Sequence, residues 1–198
     1  SMSGTWMQSV AQAWLVYKLG GTATWLGSIT FFSQFPGILI LPFAGSAADT
    51  FDRRKLFIII QCAGFIQALT LGILVLTGKV TLLHIAGLGF LLGLVASFEI
   101  TIRHSFAIDL VGKTDLPSAI TLNAAVINGS RVLGPALAGL IIPFFGEGWC
   151  FILNAVSYLA MGTGLLFLKT TSENRSTGIS NPLRKFFQTM VYVRKHKL

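Results

Sequence analysis

The sequence predicts an all-α, polytopic membrane protein with six transmembrane helices. Three observations lead there. The 198 residues are 53% hydrophobic with a mean hydropathy of +0.73, well beyond a typical soluble domain. Several apolar runs approach the ~20 residues needed to cross ~30 Å of hydrocarbon. The cations are also unevenly placed. Lys18 and Lys79 fall in one set of connectors, while Arg53, Arg54, Lys55, Lys113, Lys169, Arg175 and the tail cations fall in the other. That is positive-inside bias, and it places both termini on the cytoplasmic side. The net charge of +8 is accounted for this way and does not point to nucleic acid.

The first helix is expected over Gly4–Leu19, short for a full span. Thr5, Gln8 and Gln12 lie at i, i+3 and i+7 and form one polar stripe. In lipid such a stripe faces protein or a water-filled cavity. Interhelical hydrogen bonding and cavity lining are nearly equal readings. Ser1-Met2 reads as an added start, so the natural beginning is expected upstream. No secretory signal is evident, because no cationic region precedes the first apolar stretch. Gly20-Gly21 makes a turn, and the second helix is expected over Trp25–Ala47, kinked at Pro36. Gly45–Lys55 then forms a charged connector, with five charges in eleven residues. The third helix, Leu56–Leu76, is nearly all apolar apart from Gln61 and Gln67 and is expected to meet lipid.

The fourth helix is expected from Leu82 to at least Arg103, after the Thr77-Gly78-Lys79 turn. Gly89, Gly93, Ser97, Thr101 and Ser105 recur every four residues along it. Such a small-residue stripe lets another helix approach closely. The fifth helix is expected over Pro117–Ile142, with Asp115 as N-cap and Pro117 in the first turn. The sixth is expected over Trp149–Leu168. Trp25 and Trp149 suit the aromatic belt at a membrane interface. Cys62 and Cys150 have no metal-ligand spacing and read as small apolar residues. The expected domains are a six-helix unit (1–169), a polar linker (170–181) and a basic amphipathic helix (182–198) on the inner membrane surface. That last segment reads equally as the start of a further domain's first element.

Within the connector, Gly45-x-x-x-Asp49-x-x-Asp52-Arg53-Arg54-Lys55 resembles the signature loop between helices 2 and 3 of the major facilitator superfamily. Asp52 stands where that family most often has Gly, a position Asp can fill by entering the left-handed region. Asp49 can meet a helix N-terminus and an arginine, so Gly45, Asp49, Asp52, Arg53 and Arg54 form a candidate conformational latch. An ordinary positive-inside turn is the plainer reading. On helix 5, Ser130-x-x-x-Gly134-Pro135-x-x-Ala138-Gly139 is similar to the helix-bending motif of the drug-antiporter branch, which goes with export. Its small residues are expected to press against the other half of a transporter. Gly4-Thr5-Trp6-Met7-Gln8, Asp115 through Asn123, Arg131 through Gly139 and Trp149 through Ala155 resemble the enterobactin-exporter and transmembrane secretion effector branch. The resemblance covers Gly4–Leu168 and implies the N-terminal half of a twelve-helix transporter. It also implies that helices 1–3 and 4–6 are two inverted three-helix repeats.

Ionisable residues inside spans are costly and therefore point to function. Glu99 and Arg103 are four apart on one helix, in the favourable order for an ion pair. They either neutralise each other or load and release protons, with Asp109 as a further candidate for proton coupling. Arg131 lies mid-helix, with Asn123 and Asn128 in a broad arc beside it. Either it is a structural arginine or, with Gln8, Gln12 and the two asparagines, it binds an anionic or oxygen-rich substrate. The expected function is proton-coupled export of a siderophore or amphipathic drug-like molecule across a bacterial cytoplasmic membrane. The partners are the lipid bilayer, a second six-helix half (from one long chain or a homodimer), a small-molecule substrate and protons. The alternative is a half-length, non-transporting membrane scaffold or regulatory module. No cofactor or metal is expected. An enzyme is disfavoured, since no Gly-x-Ser-x-Gly elbow or metal-ligand pair is present.

Overall fold

The computed structural model describes residues 1–50, 52–111 and 115–167, with side chains described except at 38–39, 41–50, 104–111 and 116. The expected linker and amphipathic tail helix lie outside the described residues. Among the described residues six helices follow one another: α1 (Met2–Lys18), α2 (Ala23–Thr50), α3 (Arg53–Leu76), α4 (Leu82–Val111), α5 (Leu116–Phe145) and α6 (Glu147–Phe167). No strand occurs among the described residues. Arg53–Leu76, Leu82–Arg103, Pro117–Phe145 and Glu147–Phe167 are each long and apolar enough to cross a membrane. The 17 residues of α1 reach roughly 25 Å at 1.5 Å per residue.

Three connections turn on glycines with positive φ, Gly20 (73°), Gly78 (68°) and Gly146 (84°), a conformation that costs glycine little. The fourth corrects the sequence reading. The eleven-residue connector shrinks to residues 51–52, because α2 continues to Thr50 and α3 begins at Arg53. A helix need not stop where its apolar run stops. Asp52 starts α3 early: its carboxylate accepts from the Arg54 and Lys55 backbone N–H groups at 2.9 and 3.2 Å. Its φ of −58° is ordinary, so the residue works here as an N-cap and does not stand in for a left-handed glycine. Asp115 precedes α5 without a side-chain cap bond. α2 continues through Pro36 and Pro42, and α5 through Pro135 and Pro143.

The principal neighbours form the series α5–α1–α6–α3–α4–α2. Small residues set the close approaches. A Cβ on Gly93 of α4 would collide with the Ser33 carbonyl of α2, and one on Gly89 would lie 2.8 Å from Ser33 Oγ. On the other side, a Cβ on Gly134 of α5 would lie 2.5 Å from Trp6 Cβ and 2.8 Å from the Ser3 carbonyl of α1. Gly64, Gly72 and Gly148 play the same part between α3 and α6. Met7, Ala11, Leu15, Leu71, Ile85 and Phe151 head the largest apolar cluster, which joins α1, α3, α4 and α6.

Candidate substrate and coupling site

The middle of the bundle is polar. Gln8 of α1 is fully buried, and both ends of its amide are engaged. Its Nε2 donates to Gln67 Oε1 of α3 at 3.1 Å, and its Oε1 accepts from Asn154 Nδ2 of α6 at 2.6 Å. Gln67 passes the chain on, donating to the Leu88 carbonyl of α4 at 3.1 Å. Ser157 closes it by donating to Asn154 Oδ1. One network thus ties four helices together and satisfies amides that lipid could not. Within this bundle Gln8 is a bridge between helices, which favours its hydrogen-bonding reading over substrate contact. Gln12, one turn on, differs. It makes no hydrogen bond among the described residues, and a Cβ on Gly89 would lie 3.2 Å from its Nε2. Its amide is uncommitted at the junction of α1, α2 and α4.

Glu99 and Arg103 form an ion pair along α4, and Glu99 is buried. Ser1 Oγ donates to the same carboxylate oxygen at 3.1 Å. Thr5 Oγ1 and Tyr158 Oη are 3.2 Å apart, bringing α6 to this end of α1. Among the described residues Arg103 Nε is buried without a hydrogen-bond partner, as are both amide atoms of Gln61. Asp109 lies on α4, but its side chain is outside the described residues.

Arg131 is exposed on α5, and its guanidinium carbon sits 5.2 Å from the centre of the Trp6 ring on α1. Asn123 is half-buried, and Asn128 is exposed with its amide donating to the Ala124 carbonyl of its own helix. The structure therefore separates two groups. Glu99 and Arg103 are enclosed by the bundle, while Arg131 and Asn128 lie open on α5.

Comparison with known proteins identifies the family. Residues 1–196 match the family described as transmembrane secretion effector. The chain belongs to that family, within the major facilitator superfamily. It is 28% identical to the staphyloferrin A transporter of Staphylococcus aureus over 158 residues, 78% of this chain and 39% of that protein. It is 26% identical to the multidrug efflux pump Tap of Mycolicibacterium fortuitum, over 96% of this chain and 50% of that protein. An uncharacterised transporter of the same superfamily, YfiS of Bacillus subtilis, is 23% identical over 85% of this chain. The chain spans half or less of the length of these curated relatives.

The small residues of the helix 5 motif lie mostly inside this bundle. Ser130, Gly134 and Ala138 are buried, with Ser130 bonded to Ser3 at 3.1 Å and Gly134 against Trp6 and Ser3. Ser130 and Gly134 thus press on α1 of the same bundle. Gly139 has open space around it and Pro135 is half-buried. In the loop signature, Arg54 donates to the Leu165 and Leu166 carbonyls at 2.9 and 2.6 Å, capping the C-terminus of α6. Arg53 is also engaged. The side chains of Gly45 and Asp49 lie outside the described residues. Gln67, Asn154 and Tyr158 escaped the sequence reading, as did the 2.8 Å ion pair between Lys18 and the buried Glu147.

Proposed function

We propose that this chain is the N-terminal half of a secondary active transporter, a proton-coupled exporter of a siderophore or amphipathic drug-like molecule. The buried Glu99–Arg103 pair carries the reading. An ion pair inside an apolar span is expensive, and apolar residues of similar size would stabilise the bundle as well or better. The cost is explained if the carboxylate exchanges a proton and the arginine holds the charge when it leaves. Staphyloferrin A transport and multidrug efflux among the relatives support the substrate class.

Six spans, both termini cytoplasmic, form two inverted repeats in this reading. The neighbour series supports it, for exchanging α1 with α4, α2 with α5 and α3 with α6 returns the same series reversed. A second six-helix half, in one long chain or as a homodimer, completes the pathway across a bacterial cytoplasmic membrane. Gln12, Asn123, Asn128 and Arg131 contact substrate. Glu99, Arg103 and Asp109 couple it to protons, and the Gly45–Arg54 segment latches one conformation.

The test uses the full-length protein in proteoliposomes under an imposed pH gradient. Glu99→Gln is expected to abolish gradient-driven export of a lipophilic dye while leaving dye binding intact. Arg131→Ala is expected to remove export without loss of folded protein. Unchanged gradient-driven export by both variants would refute the assignment.

A further inference from the structure

We infer that Trp6 and Arg131 together form the recognition point for an organic anion, a flat apolar body carrying a carboxylate. This rests on the export reading above and narrows its substrate class.

Arg131 is the central residue of the Pro117–Phe145 span, roughly 21 Å from either end at 1.5 Å per residue. Neither end is within reach of its side chain, so it cannot relieve its charge by snorkelling. No described carboxylate lies within ion-pair distance of it. Arg103, at the end of the Leu82–Arg103 span, has Glu99. Arg131 has instead the face of Trp6 at 5.2 Å. A cation over an indole recovers only part of the cost of holding a charge at mid-membrane depth. The cation therefore retains a demand for a counter-anion.

The pair also faces the right way. Gly4 of α1 abuts Asn154 and Ser157 of α6. Trp6 is two residues on, roughly 200° around the helix, and so lies on the side turned away from α6. There the indole is 37% exposed. Ser9, Val10 and Trp14 continue that open strip along α1, and Asn128 flanks Arg131 on α5. An arginine stacked on an aromatic ring keeps its N–H edge free for a bidentate carboxylate. The indole edge and its neighbours offer apolar surface for the rest of the ligand. Arg131 reads the charge and Trp6 reads the flat body.

The experiment uses purified full-length protein and two probes, radiolabelled 1-naphthoate and its neutral counterpart 1-naphthylmethanol, with binding measured by equilibrium dialysis. The wild type is expected to hold naphthoate at least tenfold more tightly. Arg131→Gln should erase that ratio by weakening naphthoate alone, and Arg131→Lys should keep part of it. Trp6→Ala should weaken both probes several-fold. Equal wild-type binding of the two probes overturns the inference, as when a carboxylate of the second half already neutralises Arg131. A ratio unchanged in Arg131→Gln overturns it too. Naphthoate selectivity in a protein that exports nothing under a pH gradient leaves the anion site standing and removes the export reading instead.

Discussion

Gln8 and Gln12 share one stripe of α1 and differ in what they touch. Gln8 bonds to Gln67 and Asn154, while Gln12 bonds to no described residue. Interhelical hydrogen bonds inside bilayers contribute about 0.6 kcal/mol on average and up to about 1.7. Losing two, and orphaning both partners, makes Gln8→Leu costly by roughly 1–3 kcal/mol. A lowered melting temperature in detergent is expected for Gln8→Leu, with Gln12→Leu melting as the wild type but exporting less. Equal melting of the two variants would contradict the division. The polar stripe was legible from spacing; its division was not. A glutamine in an apolar run reads the same whether it meets lipid or a partner, and the rotation of a helix is fixed by neighbours distant in sequence. Gln67 shows this most clearly: α3 read as lipid-facing, yet this residue is buried at the crossing of α1, α3 and α4.

At the scale of elements, the four-residue glycine and serine spacing of α4 was legible as a contact face, and α2 lies on it. The matching spacing on α5 was legible too, but its partner was not, because small residues specify proximity and carry no address. α1 receives it. Paired substitutions on each helix test these faces while holding propensity constant. Gly93→Val places a side chain against the Ser33 carbonyl, whereas Gly87→Val meets nothing within 4 Å. Gly134→Val runs into Trp6 and Ser3, whereas Gly129→Val meets open space. Size-exclusion profiles in detergent are expected to show Gly93→Val and Gly134→Val aggregated or lost, and Gly87→Val and Gly129→Val monodisperse. Helix ends were the least legible feature, as at Asp52, where a side-chain cap starts α3 within a segment that reads as loop.

For the whole molecule, α6 is held at both ends and in the middle. Glu147 at its start pairs with Lys18, Asn154 bonds to Gln8, and Arg54 caps its last carbonyls. Glycines press it flat against α3 along the same length. The α2 and α5 ends of the neighbour series carry no comparable set of bonds among the described residues. If the proposed transporter works by rocking of two rigid halves, α3–α6 is the pair expected to stay fixed. A cross-link there should therefore be harmless. A Cβ on residue 148 would lie 2.9 Å from Leu76 Cγ, which puts Leu76→Cys and Gly148→Cys within reach of a disulfide. In a full-length background freed of other cysteines, including Cys62 and Cys150, the oxidised pair is expected to export dye at the rate of the reduced pair. Arrest of export on oxidation, reversed by reductant, would mean that α3 and α6 slide during transport and that the half moves within itself.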